Sequence, residues 1–339
     1  MRKRWVGLFA LVLGWVISCG FDPQQASIHL TAGVDTAGVD SACRTVPHDL
    51  GETTLCGEPK AVVALSPHIL DSMLSLGVQP VAYAETVHLK QRRFDRPAEQ
   101  IPYLGDRITT QPVNLGDRKS PSLEALASVK PDLILGESWM HGKIYHQLSQ
   151  IAPTLLFSDT KGEIQTWQND IGGIANALNR KTEAEQLHVN FSQQIEAAKT
   201  ALAPVVQRYP KVLLISSNQL TRTIYTAADS TAGNLMRKIG FELVRPQGLE
   251  DWGLISFEVV PQIEADIVIV FAWDEQLESP AAKVRQQWAS NPLLKTMPVF
   301  QAGRVFFADY QLWGSNIRGP IADQLILEAL PKLLGHLGD

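Results

Sequence analysis

Between residues 182 and 208 the apolar positions Ala184, Leu187, Phe191, Ile195, Ala198, Leu202 and Val205 recur three or four residues apart. That spacing puts them on one face of a helix. At 1.5 Å rise per residue such a helix is roughly 40 Å long. Thr182 and Glu185 have the form of a capping box, and Pro204 is expected to kink the last turns before Pro210 ends them. On either side the period changes. Short apolar runs at 61–65, 80–84, 154–157, 211–216, 266–271 and 305–308 read as strands, and amphipathic patterns at 68–76, 144–151, 164–178, 231–239 and 321–334 read as helices. Strands alternating with helices at this spacing predict parallel sheets flanked by helices. Residues 44–48 and 52–55 flank Asp49-Leu50-Gly51 as a hairpin, while 87–119 reads as irregular and polar and 136–143 as a loop.

A second pattern crosses the long helix. Ser122, Glu124 and Asp132, in a short helix running into an apolar strand, recur as Ser256, Glu258 and Asp266 at an offset of 134 residues. The apolar positions between them match in type. The two copies lie on opposite sides of 182–208, which predicts two similar α/β lobes with the helix as their shared spine. A chain of 339 residues with 45% hydrophobic side chains is enough for a core in each.

The N-terminus has its own grammar. Arg2, Lys3 and Arg4 precede an apolar run from Trp5 to Ile17, which has the charge and length of a signal peptide. The following Val16-Ile17-Ser18-Cys19 resembles the bacterial lipobox, in which cleavage leaves the cysteine as a lipidated N-terminus; the alternative is an exported chain with Cys19 unmodified. Residues 20–41 contain the direct repeat Thr-Ala-Gly-Val-Asp and little bulk, so they read as a tether. No later apolar run reaches the roughly 20 residues needed to cross a bilayer, so lipid would be the only membrane contact. Loss of residues 1–18 takes the formal charge from −5 to −8, which argues against nucleic acid as a partner. Export places Cys43 and Cys56 in an oxidising compartment, where a disulfide is the expected state. It would close a loop of about 14 residues, a constraint on the order of 3 kcal/mol.

With these residues in place a family comes into view. The segments Asn114-Leu-Gly-Asp-Arg118, Ser120-Pro-Ser-Leu-Glu124, Lys130-Pro-Asp-Leu-Ile-Leu135, Ile151-Ala-Pro-Thr154 and Leu312-Trp-Gly-Ser-Asn-Ile-Arg318-Gly-Pro resemble the substrate-binding proteins of iron-siderophore and cobalamin ABC importers. The resemblance runs from about Cys43 to the end. It implies a class III periplasmic binding protein fold: two Rossmann-like lobes, at 43–178 and 209–339, joined by one long rigid helix at 179–208, after a signal peptide at 1–18 and a lipidated tether at 19–42. It implies a monomer, lipid-anchored on the periplasmic or cell-surface side of a bacterial membrane. Its ligand would be a ferric siderophore, carried to the permease of an ABC transporter, with no cofactor and no catalysis.

The resemblance also assigns residues. Glu124 and Glu258 fall where the family docks into arginine pockets of the permease, although each could simply favour its own helix N-terminus. A siderophore already wraps its iron, so the protein would supply aromatic walls and arginines rather than metal ligands. Arg118 matches the cleft arginine; Trp139, Trp252 and Trp313 are candidate walls in polar or glycine-rich loops. Tyr310 and Arg318 share the last loop, and Arg107 and His68 complete the set, whereas Trp167, Trp273 and Trp288 read as core or surface. Several arginines near the cleft favour an acidic ligand. Rival readings remain. A free-metal protein would need converging His, Asp, Glu or Tyr side chains, and His68 and His141 follow successive strands. Cobalamin or haem would also suit an aromatic cleft. No Gly-x-Ser-x-Gly elbow, His-Glu-x-x-His or Walker loop favours an exported enzyme. Only modest closure of the lobes is expected, because one stiff helix bends little.

Overall fold

The computed structural model describes residues 43–85, 92–158, 166–218, 223–246, 253–273 and 280–338. The signal peptide, Cys19, the tether and Trp252 lie outside the described residues. Strands β1 (Cys43–His48) and β2 (Gly51–Cys56) form an antiparallel hairpin whose register sets Cys43 opposite Cys56, and a disulfide joins them. Gly51 takes φ +131°, a backbone region open chiefly to glycine, just after the turn at Asp49 and Leu50. The hairpin covers the edge of the first sheet: Asp49 N–H donates to Leu156 O at 3.0 Å and Thr53 Oγ1 to Thr154 O at 3.1 Å.

That sheet contains β3 (Val62–Ala64), β4 (Ala82–Glu85), β5 (Val113–Asp117), β6 (Leu133–Glu137) and β7 (Thr154–Phe157). All are parallel, in the order β5-β4-β3-β6-β7, so the chain reverses direction across the sheet between β3 and β6. The second sheet runs β11 (Leu254–Ile255), β9 (Thr223–Thr226), β8 (Lys211–Asn218), β12 (Ile267–Trp273) and β13 (Val305–Asp309), with β10 (Glu242–Leu243) beside the start of β8. Its β8, β12 and β13 are parallel, but β9 is antiparallel to β8.

The repeated aspartates have a common task. Asp132 accepts from Lys60 N at 2.8 Å and Ala61 N at 2.9 Å, while its own N–H bonds Ala61 O. Asp266 accepts from Lys211 N at 2.9 Å and returns its N–H to Lys211 O. Each thereby ties the entry of a central strand, β6 or β12, to the first strand of its lobe. The copies differ just upstream. Residues Leu123–Val129 form an α-helix capped by Ser122 Oγ, but Val260–Gln262 manage only a 3-10 turn. Pro261 removes an N–H and crowds Val260, so the second helix does not propagate.

The long helix spans Lys181–Arg208 and continues through Pro204. Its N-cap is Arg180, two residues before the Thr182 of the capping-box pattern, after Asn179 turns the chain at φ +56°, and no side chain caps it. Ala184, Ile195, Ala198, Leu202 and Val205 are buried, with Leu187 and Phe191 partly so. Alternate residues of both sheets then divide between cores. Val62, Leu133 and Leu135 from the first sheet, and Val212, Leu214 and Ile269 from the second, join one cluster that passes through Leu202 and Val205 of the helix. Val63 and Ile134 turn to an outer core of the first lobe, and Leu213 and Val268 to one of the second.

Two sequence expectations need correction, and one strand pair was not foreseen. The stretch 87–119 includes β5 and a helical turn at Pro97–Gln100. Residues 136–143 include a turn of helix at Ser138–His141. The pair β9 and β11 is not apparent from the apolar pattern, because such short strands carry almost no period.

Candidate functional site

In an open parallel sheet the crevice opens beyond the carboxyl ends of the strands where the order reverses. Here those ends are the turn after β3, with Ser66 and His68, and the last residue of β6, Glu137. The second lobe brings the segment from Asp309 to Gly319, after β13, to the same place. Arg118, just past β5, donates from Nη1 to Asn316 O and from Nη2 to Asn316 Oδ1, each at 3.3 Å. Arg318 forms an ion pair with Glu137 and offers its carbonyl to His68 Nδ1. Tyr103 O–H donates to Asp309 Oδ2.

Glu137 is fully buried. Burial alone would raise its pKa, but the charge of Arg318, followed by that of His68, holds it at about 2. The same carboxylate oxygen that meets Arg318 also accepts from Trp139 Nε1 at 2.7 Å. Trp139 itself is 47% exposed, so its face is open while its polar edge is fixed. Among the described residues one buried polar atom of this surface, Arg118 Nε, has no hydrogen-bond partner.

The two histidines behind this surface are spent internally. His68 is 2% exposed and bonds Asp170 Oδ2 through Nε2 at 3.2 Å. Burial, and to a lesser degree Arg318, oppose its charge, but the carboxylates of Asp170, itself held by Ser158, and of Glu137 together raise the His68 pKa. His141 Nδ1 accepts from Glu137 N–H at 3.0 Å and Nε2–H donates to Arg118 O at 2.8 Å, a pattern that suits the neutral ring favoured by burial. Among the described residues no group of three or more His, Cys, Asp or Glu side chains is arranged to hold a metal ion.

The structure thus brings Arg118, Trp139, Tyr310, Arg318 and His68 to one junction, though His68 lies beneath the surface. Tyr310 is largely enclosed, and its ring packs over Gly314, where a Cβ would lie 2.3 Å from Tyr310 Cδ2. Burial raises the Tyr310 pKa, and nearby Arg118 works against that. Arg107 and Trp313 are placed elsewhere. Arg107 lines a groove of about 260 Å³ beside Leu187, Asn190 and Gln194 of the long helix. Trp313 is 6% exposed and packs into the core against Phe271, because the helical turn Tyr310–Trp313 rotates it inward. Glu124 and Glu258 are both exposed, one on each lobe. The Ser256 hydroxyl lowers the Glu258 pKa.

A family model for periplasmic binding proteins matches residues 62–312. The chain belongs to the periplasmic binding protein family. The probable siderophore-binding lipoprotein YfiY of Bacillus subtilis is 28% identical over 322 residues, covering 92% of this chain and 93% of the relative. The Fe(3+)-citrate-binding protein YfmC of the same organism is 28% identical over 278 residues, 81% of each. Among solved structures, Staphylococcus aureus SirA complexed with staphyloferrin B superposes with a TM-score of 0.67 at 23% identity, over 85% of this chain and 97% of SirA. That likeness is one of fold: two α/β lobes of a class III periplasmic binding protein. Family members of this kind bind substrates rather than transform them. Among the described residues no helix is long and apolar enough to cross a membrane.

Sequence reasoning missed Glu137, Asp170 and Asn316. Glu137 carried a signal: it is the charged residue that ends an apolar strand beside the reversal point, where a buried carboxylate needs a cation. The cation stands 181 residues away, which no local pattern reveals.

Proposed function

We propose that this periplasmic binding protein captures a ferric siderophore between its lobes and presents it to an ABC importer. The observation that carries the reading is the meeting, from both lobes, of Arg118, whose Nε has no partner among the described residues, the open face of Trp139, and Tyr310. A coordinatively saturated chelate offers oxygen atoms to a guanidinium and flat or apolar surface to an indole. The names of YfiY and YfmC, a siderophore-binding and an Fe(3+)-citrate-binding protein, point the same way. Glu124 and Glu258, one per lobe, serve as docking carboxylates for the permease, and lipid on Cys19 holds the protein at the outer side of the membrane as a monomer.

Tryptophan fluorescence of the purified protein, titrated with ferric siderophores, free Fe3+, haem and cobalamin, tests this reading. Saturable quenching by one or more ferric siderophores is expected. Quenching by free metal alone, or by a macrocycle alone, would overturn it.

A further inference from the structure

The turn of the N-terminal hairpin lies at the carboxyl ends of β6 and β7. Asp49 N–H bonds Leu156 O one residue before β7 ends, and Phe157, that last residue, pairs with Glu137 of β6. This is the side on which the crevice opens. The turn is also firmly held. At the far end of the two strands Cys43 is joined to Cys56, and Arg44 donates to Asn176 O and Ala177 O in the last turn of the helix Trp167–Leu178. Burial lowers the His48 pKa against the charge of Asp49, so the ring is neutral. Its Nδ1 accepts Leu50 N–H at 3.3 Å while Nε2 reaches Thr53 Oγ1 at 3.1 Å.

Trp139 stands on the helical turn Ser138–His141, which is four residues long and has no side-chain cap. So short a piece does not hold itself, because nucleating a helix is unfavourable. Its place comes from bonds at its two ends. His141 closes one end through Glu137 N–H and Arg118 O. At the other, Ser138 Oγ lies 2.6 Å from Asp49 Oδ2 and 3.2 Å from Phe157 O. A hydroxyl has one proton, and the shorter, charge-assisted contact takes it. Leu50 meets the same piece of chain, since a Cβ on Gly142, just past the turn, would lie 3.9 Å from its Cδ1. The indole is oriented separately, by Nε1–H on Glu137 Oε2.

We infer that Asp49, at the tip of the hairpin, is a positioning residue of the ligand site: through Ser138 it fixes the helical turn that presents Trp139. The inference rests on the reading of Trp139 as a wall for the ligand. Covering an edge strand needs only backbone bonds such as Asp49 N–H to Leu156 O. The carboxylate of Asp49 is instead spent on the turn that carries the exposed indole. The disulfide-closed hairpin thereby becomes a working part of the binding surface.

The test compares wild type, Asp49→Ala and Ser138→Ala, with circular dichroism as a check on folding. Asp49 has further interactions, so Ser138→Ala removes the same bond from the other side, and alanine suits a helical turn. The first readout needs no ligand. Fluorine NMR of fluorotryptophan-labelled protein follows the Trp139 resonance, identified by its loss in Trp139→Phe. Both variants should shift or broaden it and leave the resonances of the buried Trp167 and Trp288 in place. A Trp139 resonance unmoved in folded Ser138→Ala would overturn the inference whatever the protein binds. The second readout is affinity for ferrioxamine B, ferrichrome and ferric citrate by titration calorimetry. Either variant should bind about three- to tenfold more weakly. In a Trp139→Ala background the same changes should cost less than about twofold, because the group they position is gone. An equal loss with Trp139 absent would show that the hairpin acts elsewhere, and would also overturn the inference. Should the wild type bind none of these chelates, the siderophore reading fails, and the fluorine signal still decides whether Asp49 places Trp139.

Discussion

Asp71 offers the sharpest test of how the lobes are held together. It sits on the first-lobe helix Pro67–Ser75, fully buried, and accepts from Ile321 N on Oδ1 and from Ala322 N on Oδ2, both at 2.9 Å. Those N–H groups open the last helix, Pro320–Leu334, and are among the four that no helix satisfies internally. The fit is tight, because a Cβ at Gly319 would stand 2.2 Å from Asp71 Cγ. Asp71→Ala would strand two buried donors at about 1–3 kcal/mol each, so a loss of about 2–6 kcal/mol is expected. Removing a carboxyl whose pKa burial pushes up to about 6 returns part of that cost, which favours the lower half of the range. Asp71→Asn retains one acceptor oxygen and should lose roughly half as much. Urea unfolding at neutral pH, followed by tryptophan fluorescence, measures both. If Asp71→Ala unfolds within about 0.5 kcal/mol of the wild type, the two hydrogen bonds do not staple the lobes together.

Asp323 makes a pH-dependent prediction. Burial lifts its pKa to about 7, Trp167 Nε1–H at 2.8 Å lowers it, and nearby Asp71 raises it. Between about pH 4 and pH 7 the folded protein keeps a proton that the unfolded chain has lost, so this group's contribution is full in acid and disappears as the pH rises through about 7. Asp323→Asn never ionises and can still accept from Trp167; its stability relative to wild type should improve over that window by up to about 4 kcal/mol. A difference that stays constant from pH 4 to pH 8 would exclude the linkage. For docking, Glu124→Ala combined with Glu258→Ala should leave siderophore affinity within about twofold, a change of about 0.4 kcal/mol, while cellular uptake falls. Weakened binding with normal uptake would place these carboxylates in the wrong role.

Much of the fold was legible because burial imposes period. The run at 61–65 is apolar throughout since β3 has a core on each face, Val62 and Ala64 on one side and Val63 and Leu65 on the other. The face of 182–208 followed from spacing alone. The repeated aspartates betrayed the second lobe because strand entry needs the same backbone bonds twice. The site was harder. Trp313 drew attention by standing among glycines and polar residues, but one turn of helix sends it into the core while Tyr310, three residues earlier, stays at the junction. Arg107 sits in a Leu-Gly-Asp-Arg sequence like that of Arg118, yet it ends a 3-10 turn instead of following a strand, and it faces the long helix. His68 could be placed after β3, but not beneath the surface, since its partners Asp170 and Arg318 lie 102 and 250 residues away.

How far the lobes move follows from where their contacts are apolar and where they are polar. Close to the long helix a single hydrophobic cluster runs from Leu133 through Leu202 to Leu214, and Asp71 and Trp167 add buried bonds to the last helix. A wide hinge would open that cluster to water at about 25 cal/mol for every Å² of apolar surface. At the far end the lobes are joined by polar groups: Arg118 with Asn316, Arg318 with Glu137, Tyr103 with Asp309. These can exchange partners with water or ligand at little net cost. The energetically cheap motion is therefore a small tilt about the long helix that parts the polar contacts and leaves the shared core closed. A change of a few degrees between empty and loaded protein is expected in small-angle scattering or in distances between spin labels on the two lobes. An opening beyond about 20° would mean that the shared core separates, and the long helix could then not be the stiff axis about which the lobes tilt.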